Sequence, residues 1–255
     1  MAAAGLTIAV TAAVIAGLLT LERLWPAAVQ RSEWANNAAA FVLTMFGNLI
    51  AGVAPAILVT ALINAAGRGL IDLRDLPLPL GAAVWLVAMD LGEYLFHRAQ
   101  HAVPWLWAMH SLHHSDRGLG VLTARRHFWL EPALKAVSIW LIVALVFRAD
   151  AAILAIYAAI SLYHFAIHAN LRLGFGPFAW MLNSPQYHRL HHSREPRHYN
   201  ANYASLLPIF DVLSGSYRRP GPGEFPTSGL EETAASPLDI VTWPVRKMAR
   251  RAITA

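Results

Sequence analysis

Ten of the chain's twelve histidines fall into four tight groups, and imidazole at that density is suited to holding metal. His97 and His101 lie four apart, and His110, His113 and His114 lie at i, i+3 and i+4. His164 and His168 are again four apart, and His188, His191 and His192 repeat the i, i+3, i+4 spacing. On helices each group converges on one face, because residues three and four apart are neighbours there. A lone histidine beside an apolar segment is by default a hydrogen-bonded core residue; ten at these spacings predict a metal site. Neutral imidazole suits Zn, Cu, Fe and Ni, so the ligand type alone leaves the metal open. Ten donors exceed the needs of one ion. Shared between two they give five each, near the coordination of iron with one position open, whereas structural zinc is satisfied by four.

Other polar residues sit where they can hold the imidazole N–H groups. Asp90, Glu93 and Tyr94 precede His97 by seven, four and three residues on one helix face. Asp116, Asn170, Asn202 and Asp211 are candidates for the same task. Glu93 shares the stripe of His97 and His101 and is also a candidate direct ligand. Outside the four groups, His127 is expected to pack behind the ligands and His198 to serve a polar loop.

The elements that position these residues belong to a membrane protein. The chain has 255 residues, 56% apolar and only 14% charged, which is too apolar for an ordinary soluble domain. With no cysteine there is no disulfide, thiolate site or iron–sulfur cluster, and redox usage says nothing of compartment. The net charge of +5, with 18 of the 20 basic residues being arginine, suits anionic headgroups or an acidic partner. Nucleic acid is excluded as a partner because no basic block is interleaved with aromatics on a polar surface.

Gly5 to Leu21 is an uncharged run near spanning length and is expected as a retained anchor helix, since no positive segment precedes it and no clean cleavage site follows. Ala38 to Ala66, interrupted by Asn48 and Pro55, is a second apolar run, and Leu78 to Phe96 a third. Gly67 to Pro79 reads as a polar turn between them. Ala133 to Phe147 and Ala151 to Ile167 form an antiparallel pair about a tight polar turn, short enough to insert only partly. The expectation is an all-α integral membrane bundle of about four to five apolar helices with a cytosolic histidine-rich helical cap. Its units are residues 1–79 (N-terminal membrane helices), 80–217 (histidine-box catalytic domain) and 218–255 (tail). Residues 97–135 and 169 onward hold 15 of the 20 basic residues, which orients the boxes to the cytoplasmic side. Arg218 to Pro237 reads as a flexible linker. Beyond it, Trp243, Val245, Met248 and the nearby arginines form either a short basic helix on the headgroups or a solvated tail. Trp85, Trp105, Trp107, Trp129 and Trp180 line either an acyl tunnel or an interfacial belt.

These motifs resemble those of the fatty acid hydroxylase and sterol desaturase superfamily of membrane di-iron enzymes. Its DxxxYxxHRxxH pattern is matched by Asp90, Tyr94, His97, Arg98 and His101, and its WxxHxxHHS by Trp107, His110, His113, His114 and Ser115. HxxxHxN is matched by His164, His168 and Asn170, and the closing HRxHH, NY and DxxxG by His188, Arg189, His191, His192, Asn202, Tyr203, Asp211 and Gly215. The likeness covers about Trp85 to Tyr217. It departs where members carry RxHPxE: here Arg125 and His127 are followed by Phe128 and Trp129, with Glu131 one place late.

The resemblance implies two iron ions held by the ten box histidines, with zinc as a possible occupant of purified protein and O2 as co-substrate. It implies hydroxylation or desaturation of a C–H bond in a fatty acyl or sterol-like lipid from the bilayer, with no catalytic side chain beyond the metal ligands. Two electrons must come from outside, since the chain has neither a cluster nor a GxGxxG fingerprint, so a ferredoxin or cytochrome b5-like donor is expected. If the source is bacterial, the cytoplasmic membrane is the site. A dizinc hydrolase using metal-bound water is the main rival. A metal transporter would need ligands along the spans, and a structural membrane protein would not need four boxes.

Overall fold

Apolar runs of this length bury their backbone polar groups by coiling into helices, and the chain does so almost throughout. The computed structural model describes residues 2–29, 34–51, 57–59, 61–63, 69–234 and 236–254. Helix α1 (Ala2–Leu24) and helix α2 (Trp34–Ala51) precede the long helix α3 (Leu78–Ala102). Next come α4 (Pro104–His114), α5 (Glu131–Lys135), a π turn (Ala136–Trp140), α6 (Leu141–Val146), α7 (Ala151–Ser161) and α8 (Tyr163–His168). The chain continues with α9 (Pro185–His191), α10 (Ile209–Ser214) and α11 (Pro237–Thr254). Among the described residues, three stretches are long and apolar enough to cross a membrane: Gly5–Leu24, Leu78–Ala102 and Ala151–His168.

The run over 38–66 is helical from Trp34 to Ala51, while Pro55 lies outside the described residues. The stretch Ala133 to Phe147 is one interrupted helix, too short to span. Ser138 Oγ bonds back to the Leu134 carbonyl at 2.6 Å, and the ladder widens there into the π turn.

Two apolar clusters fix the platform. Trp85 and Met89 of α3 pack with Ile139, Val143 and Ile153, which ties α3 to the π turn, α6 and α7. Gly92 is required at the crossing, because a Cβ there would meet the Ile139 side chain at 2.6 Å. The outer face of α3 keeps Val87, Leu91 and Leu95 exposed, as lipid contact demands. In the second cluster Leu106, Met109 and Leu112 of α4 pack with Ile240 and Trp243 of α11.

The tail is therefore not a free linker and helix. Trp243 Nε1 donates to Ser111 Oγ at 2.9 Å, and the preceding loop lies on the cap through Gln186 Nε2 to the Gly221 carbonyl at 2.8 Å and Arg117 Nε to the Leu230 carbonyl at 3.1 Å. Glycine and proline made this stretch look unstructured; its backbone is instead paired by side chains of the cap. The opposite face of α11 keeps Leu238 and Val245 exposed.

Candidate metal centre

The site begins at a corner. Pro104 has no N–H with which to continue α3, so Val103 ends one helix and starts the next: its N–H bonds the Ala99 carbonyl and its carbonyl accepts from Trp107 N–H, both at 2.8 Å. The fold-back faces His97 and His101 of α3 towards His110 and His114 of α4. Helix α9 opens with Ser184 Oγ accepting the Tyr187 N–H and Pro185 in its first turn, and brings His188, His191 and His192 against them.

Nine box histidines meet in two adjoining sets. In the first, donor atoms of His97, His101, His110, His114 and His191 all lie within 4.8 Å of one another; in the second, those of His113, His168, His188 and His192 do. The sets share a wall, with His114 stacked on His192 at 4.3 Å between ring centroids. The i, i+3, i+4 spacing explains the division. At 100° per residue the i and i+4 rings share one stripe and the i+3 ring points to the next, so His110 and His114 enter the first set and His113 the second. In α9 the sharing is reversed, His188 and His192 entering the second set and His191 the first.

His164 is the ring that does not join. Its Nε2 pairs with Ser205 Oγ at 2.7 Å, and its carbonyl accepts from His168 Nδ1 at 2.7 Å. The even division of ten thus becomes five and four.

The donor chemistry fits metal. His97 Nδ1 donates to the Tyr203 carbonyl at 2.7 Å and His191 Nδ1 to the Ala201 carbonyl at 2.9 Å, which leaves each Nε2 as a lone-pair donor. Nε2 of His97, His101 and His110 is buried without a hydrogen-bond partner. In the second set Nε2 atoms crowd together: His113 to His168 is 3.2 Å, His168 to His188 2.9 Å and His188 to His192 3.1 Å. Lone pairs so placed repel unless protons or a cation lie between them. Burial, and after it the neighbouring imidazoles, hold His113, His114 and His192 well below the ordinary histidine range, and burial pushes His191 down to about 3. These four rings are therefore neutral at pH 7, the form that binds metal.

The residue the motif reading undervalued is Glu131. Fully buried, its Oε2 accepts from Gln100 Nε2 at 2.7 Å and faces His127 Nδ1 at 3.2 Å and His110 Nδ1 at 3.4 Å. Burial pushes its carboxyl up, but His127 and His110 outweigh it and hold the group well below the usual carboxylate range. The one-place shift from RxHPxE was the available signal: the carboxylate still arrives, from the first turn of α5. His127 stacks on His113 at 4.5 Å, behind the second set.

The other polar candidates hold the frame rather than the rings. Asp90 accepts the backbone N–H groups of Leu206 and Leu207, both at 2.8 Å, and Tyr94 Oη pairs with Ser214 Oγ at 2.5 Å. Asp116 accepts from Asn37 Nδ2 at 2.7 Å, and Asn170 Oδ1 accepts from the buried Arg189 at 2.7 Å. Asp211 accepts the N–H groups of Tyr203 and Ala204 at 3.0 and 2.7 Å. Asn202, at φ +60°, bonds the Arg218 carbonyl at 3.0 Å. Both therefore shape the loop whose carbonyls meet His97 and His191. His198 is buried, with its ring nitrogens 2.8 Å from Ser193 Oγ and 3.1 Å from Glu224 Oε1. Glu93 is paired with Lys135 Nζ at 2.6 Å.

Cavities reach the rings from two sides. A chamber of about 320 Å³ is backed by His101, His114, His191 and His192 and walled by Trp107 and Tyr199. On the opposite side a cavity of about 50 Å³ touches His97, His110, His113, His168 and His188. Trp85 is buried in the core, while Trp105, Trp129 and Trp180 stay exposed, so Trp107 is the member of that group in a cavity wall.

The fatty acid hydroxylase family model matches residues 82–216. The chain is similar to alkylglycerol monooxygenase of Xenopus tropicalis (35% identical over 136 residues, 52% of this chain and 30% of the relative) and of Homo sapiens (32% over 133 residues, 51% and 29%). It is also similar to ornithine lipid hydroxylase OlsE of Rhizobium tropici (29% over 144 residues, 56% and 44%). The chain thus spans less than half the length of each of these relatives. No solved structure matches it.

Proposed function

We propose, because the chain belongs to the fatty acid hydroxylase family, that it is a membrane-bound oxidoreductase that hydroxylates, or desaturates, a C–H bond of a lipid drawn from the bilayer. For hydroxylation the balance is R–H + O2 + 2 electrons + 2 protons giving R–OH + H2O. The observation that most supports this reading is the pair of adjoining all-imidazole sets, seven of whose nine rings are buried. In the proposal His97, His101, His110, His114 and His191 hold one iron, and His113, His168, His188 and His192 the other. Bound there, the metal supplies the O2-dependent oxidation of an unactivated C–H bond, for which the chain has no side chain.

The protein's own part is positioning and dryness. Tyr203 and Ala201 carbonyls fix the rings of His97 and His191, and Glu131 holds His110 from behind. Burial of seven of the nine rings limits their contact with bulk water. The named relatives act on alkylglycerols and ornithine lipids, which favours a polar lipid as substrate here. Electrons come from a separate ferredoxin or cytochrome b5-like donor, on the cytoplasmic side if the positive-inside pattern holds.

The test is elemental analysis of protein from iron-supplemented cells beside the His113→Ala and His191→Ala variants. Two irons per chain, falling in each variant together with O2-dependent lipid oxidation, is the expected result. Zinc that persists under iron supplementation, with O2-independent ester or amide cleavage, overturns the reading in favour of a hydrolase.

A further inference from the structure

The cavity of about 50 Å³ beside the rings has a neighbour of about 20 Å³ that lies between two candidate membrane spans, with Leu86 of α3 on one side and Tyr157 and Ile160 of α7 on the other. Glu93, His164 and Ser205 line both cavities. The two cavities therefore follow one another along α3, from residues 86–93 at its bilayer part to residues 93–100 beside the rings. The volumes hold about one to a few waters and no alkyl chain, so the seam is shut at those three residues. Two contacts shut it: Glu93 Oε2 lies 2.6 Å from Lys135 Nζ, and His164 Nε2 lies 2.7 Å from Ser205 Oγ. Sequence spacing nominates Glu93 and His164 to hold metal, yet both are engaged at this neck.

We propose that this seam is the lipid's entrance to the rings and that the Glu93–Lys135 pair is its gate and its selectivity element. The proposal rests on the lipid-oxidation reading above. Opening the neck separates an ammonium from a carboxylate where both are mostly out of water, their side chains being 27% and 16% exposed. A bare hydrocarbon offers neither charge a replacement, so its passage leaves both unpaired. A lipid with an ester, ether or amide junction between chain and head offers Lys135 a hydrogen-bond acceptor. The ligand class is thus a long-chain lipid with a polar, hydrogen-bonding junction. The other contact at the neck is neutral and yields at lower cost, which makes the ion pair the element that discriminates.

The test uses the full chain loaded with zinc in liposomes, so that no O2-dependent oxidation occurs, and the monoacylglycerol is recovered intact as a check that its ester is not cleaved. Two photoreactive probes of equal chain length are compared: a long-chain monoacylglycerol with a diazirine on the acyl carbon next to the ester, and an alkane with a terminal diazirine. The expected result is labelling at the seam, on or beside Tyr157, Tyr163 and Leu206, at least tenfold stronger for the monoacylglycerol. Lys135→Met should remove that preference and Lys135→Arg restore it, with zinc content unchanged in both as the check on folding; Glu93→Gln is the second variant and should weaken it. Labelling confined to the walls of the opposite chamber, at Trp107, Tyr199 or Leu230, overturns the proposal, as does a preference untouched by Lys135→Met. Failure of the function reading is a separate event: iron-loaded wild type that oxidises no lipid while the labelling pattern stands.

Discussion

The two histidine sets are built from the same kinds of box but supported differently. The five-ring set is braced from outside: backbone carbonyls take the Nδ1–H of His97 and His191, and a buried carboxylate stands behind His110. The four-ring set has one such brace, the His164 carbonyl on His168, while Nδ1 of His113, His188 and His192 is buried without a hydrogen-bond partner. Outer hydrogen bonds fix a ring's orientation and raise its basicity. The first set is thus preorganised by the protein, and the second depends on its own rings and on the cation between them.

Removing a ring gives the largest effect on this contrast. His113→Ala leaves three donors in the less braced set and should cost that set its ion and the enzyme its turnover, while the first set keeps its metal. His191→Ala leaves four donors, His97 and His110 among them still braced, and should abolish turnover with the reverse pattern of loss. Metal analysis of the two proteins side by side checks this, and equal loss from both sets in both variants would break the contrast. Glu131→Gln removes the charge behind His110 without changing its shape. Metal affinity should fall about 10- to 100-fold at the first set alone, read by titration with a competing chelator.

Smaller effects sharpen the picture. Asp211→Asn weakens the clamp on the Tyr203 and Ala204 N–H groups, with a cost of about 1–3 kcal/mol for each group left unsatisfied. It should lower the thermal midpoint and loosen metal at the first set while sparing the second. His164→Gln should leave the metal content of both sets unchanged; loss of an ion in that variant would return His164 to the ligands and make the sets equal.

Much of this was legible in the residues. The i, i+3, i+4 boxes announced the rings, and helical geometry alone divides them between two sets once the helices face each other. What was not legible came from the backbone. No side-chain pattern shows that the carbonyls of Ala201 and Tyr203 meet the rings, because that depends on a loop held by Asn200 and Asn202 in the left-handed region and by Asp211. The spacing of His164 and His168 predicted a matched pair, but α7 ends at Ser161, α8 begins at Tyr163, and Ser205 from the cap claims the His164 ring. Glu131 was visible only as a misaligned motif, and the tail looked loose because glycine and proline hide which partners hold their backbone.

The corner at Val103 has a consequence for how the centre comes into being. Four of the five rings of the first set, at positions 97, 101, 110 and 114, lie in one short stretch joined by that fold-back, so little chain entropy is lost in gathering them. The second set draws on positions 113, 168, 188 and 192, and cannot exist until nearly the whole domain has been synthesised. A chain made from its N-terminus gathers four rings of the first set early, while both sets wait on α9, which supplies His191 to one and His188 and His192 to the other.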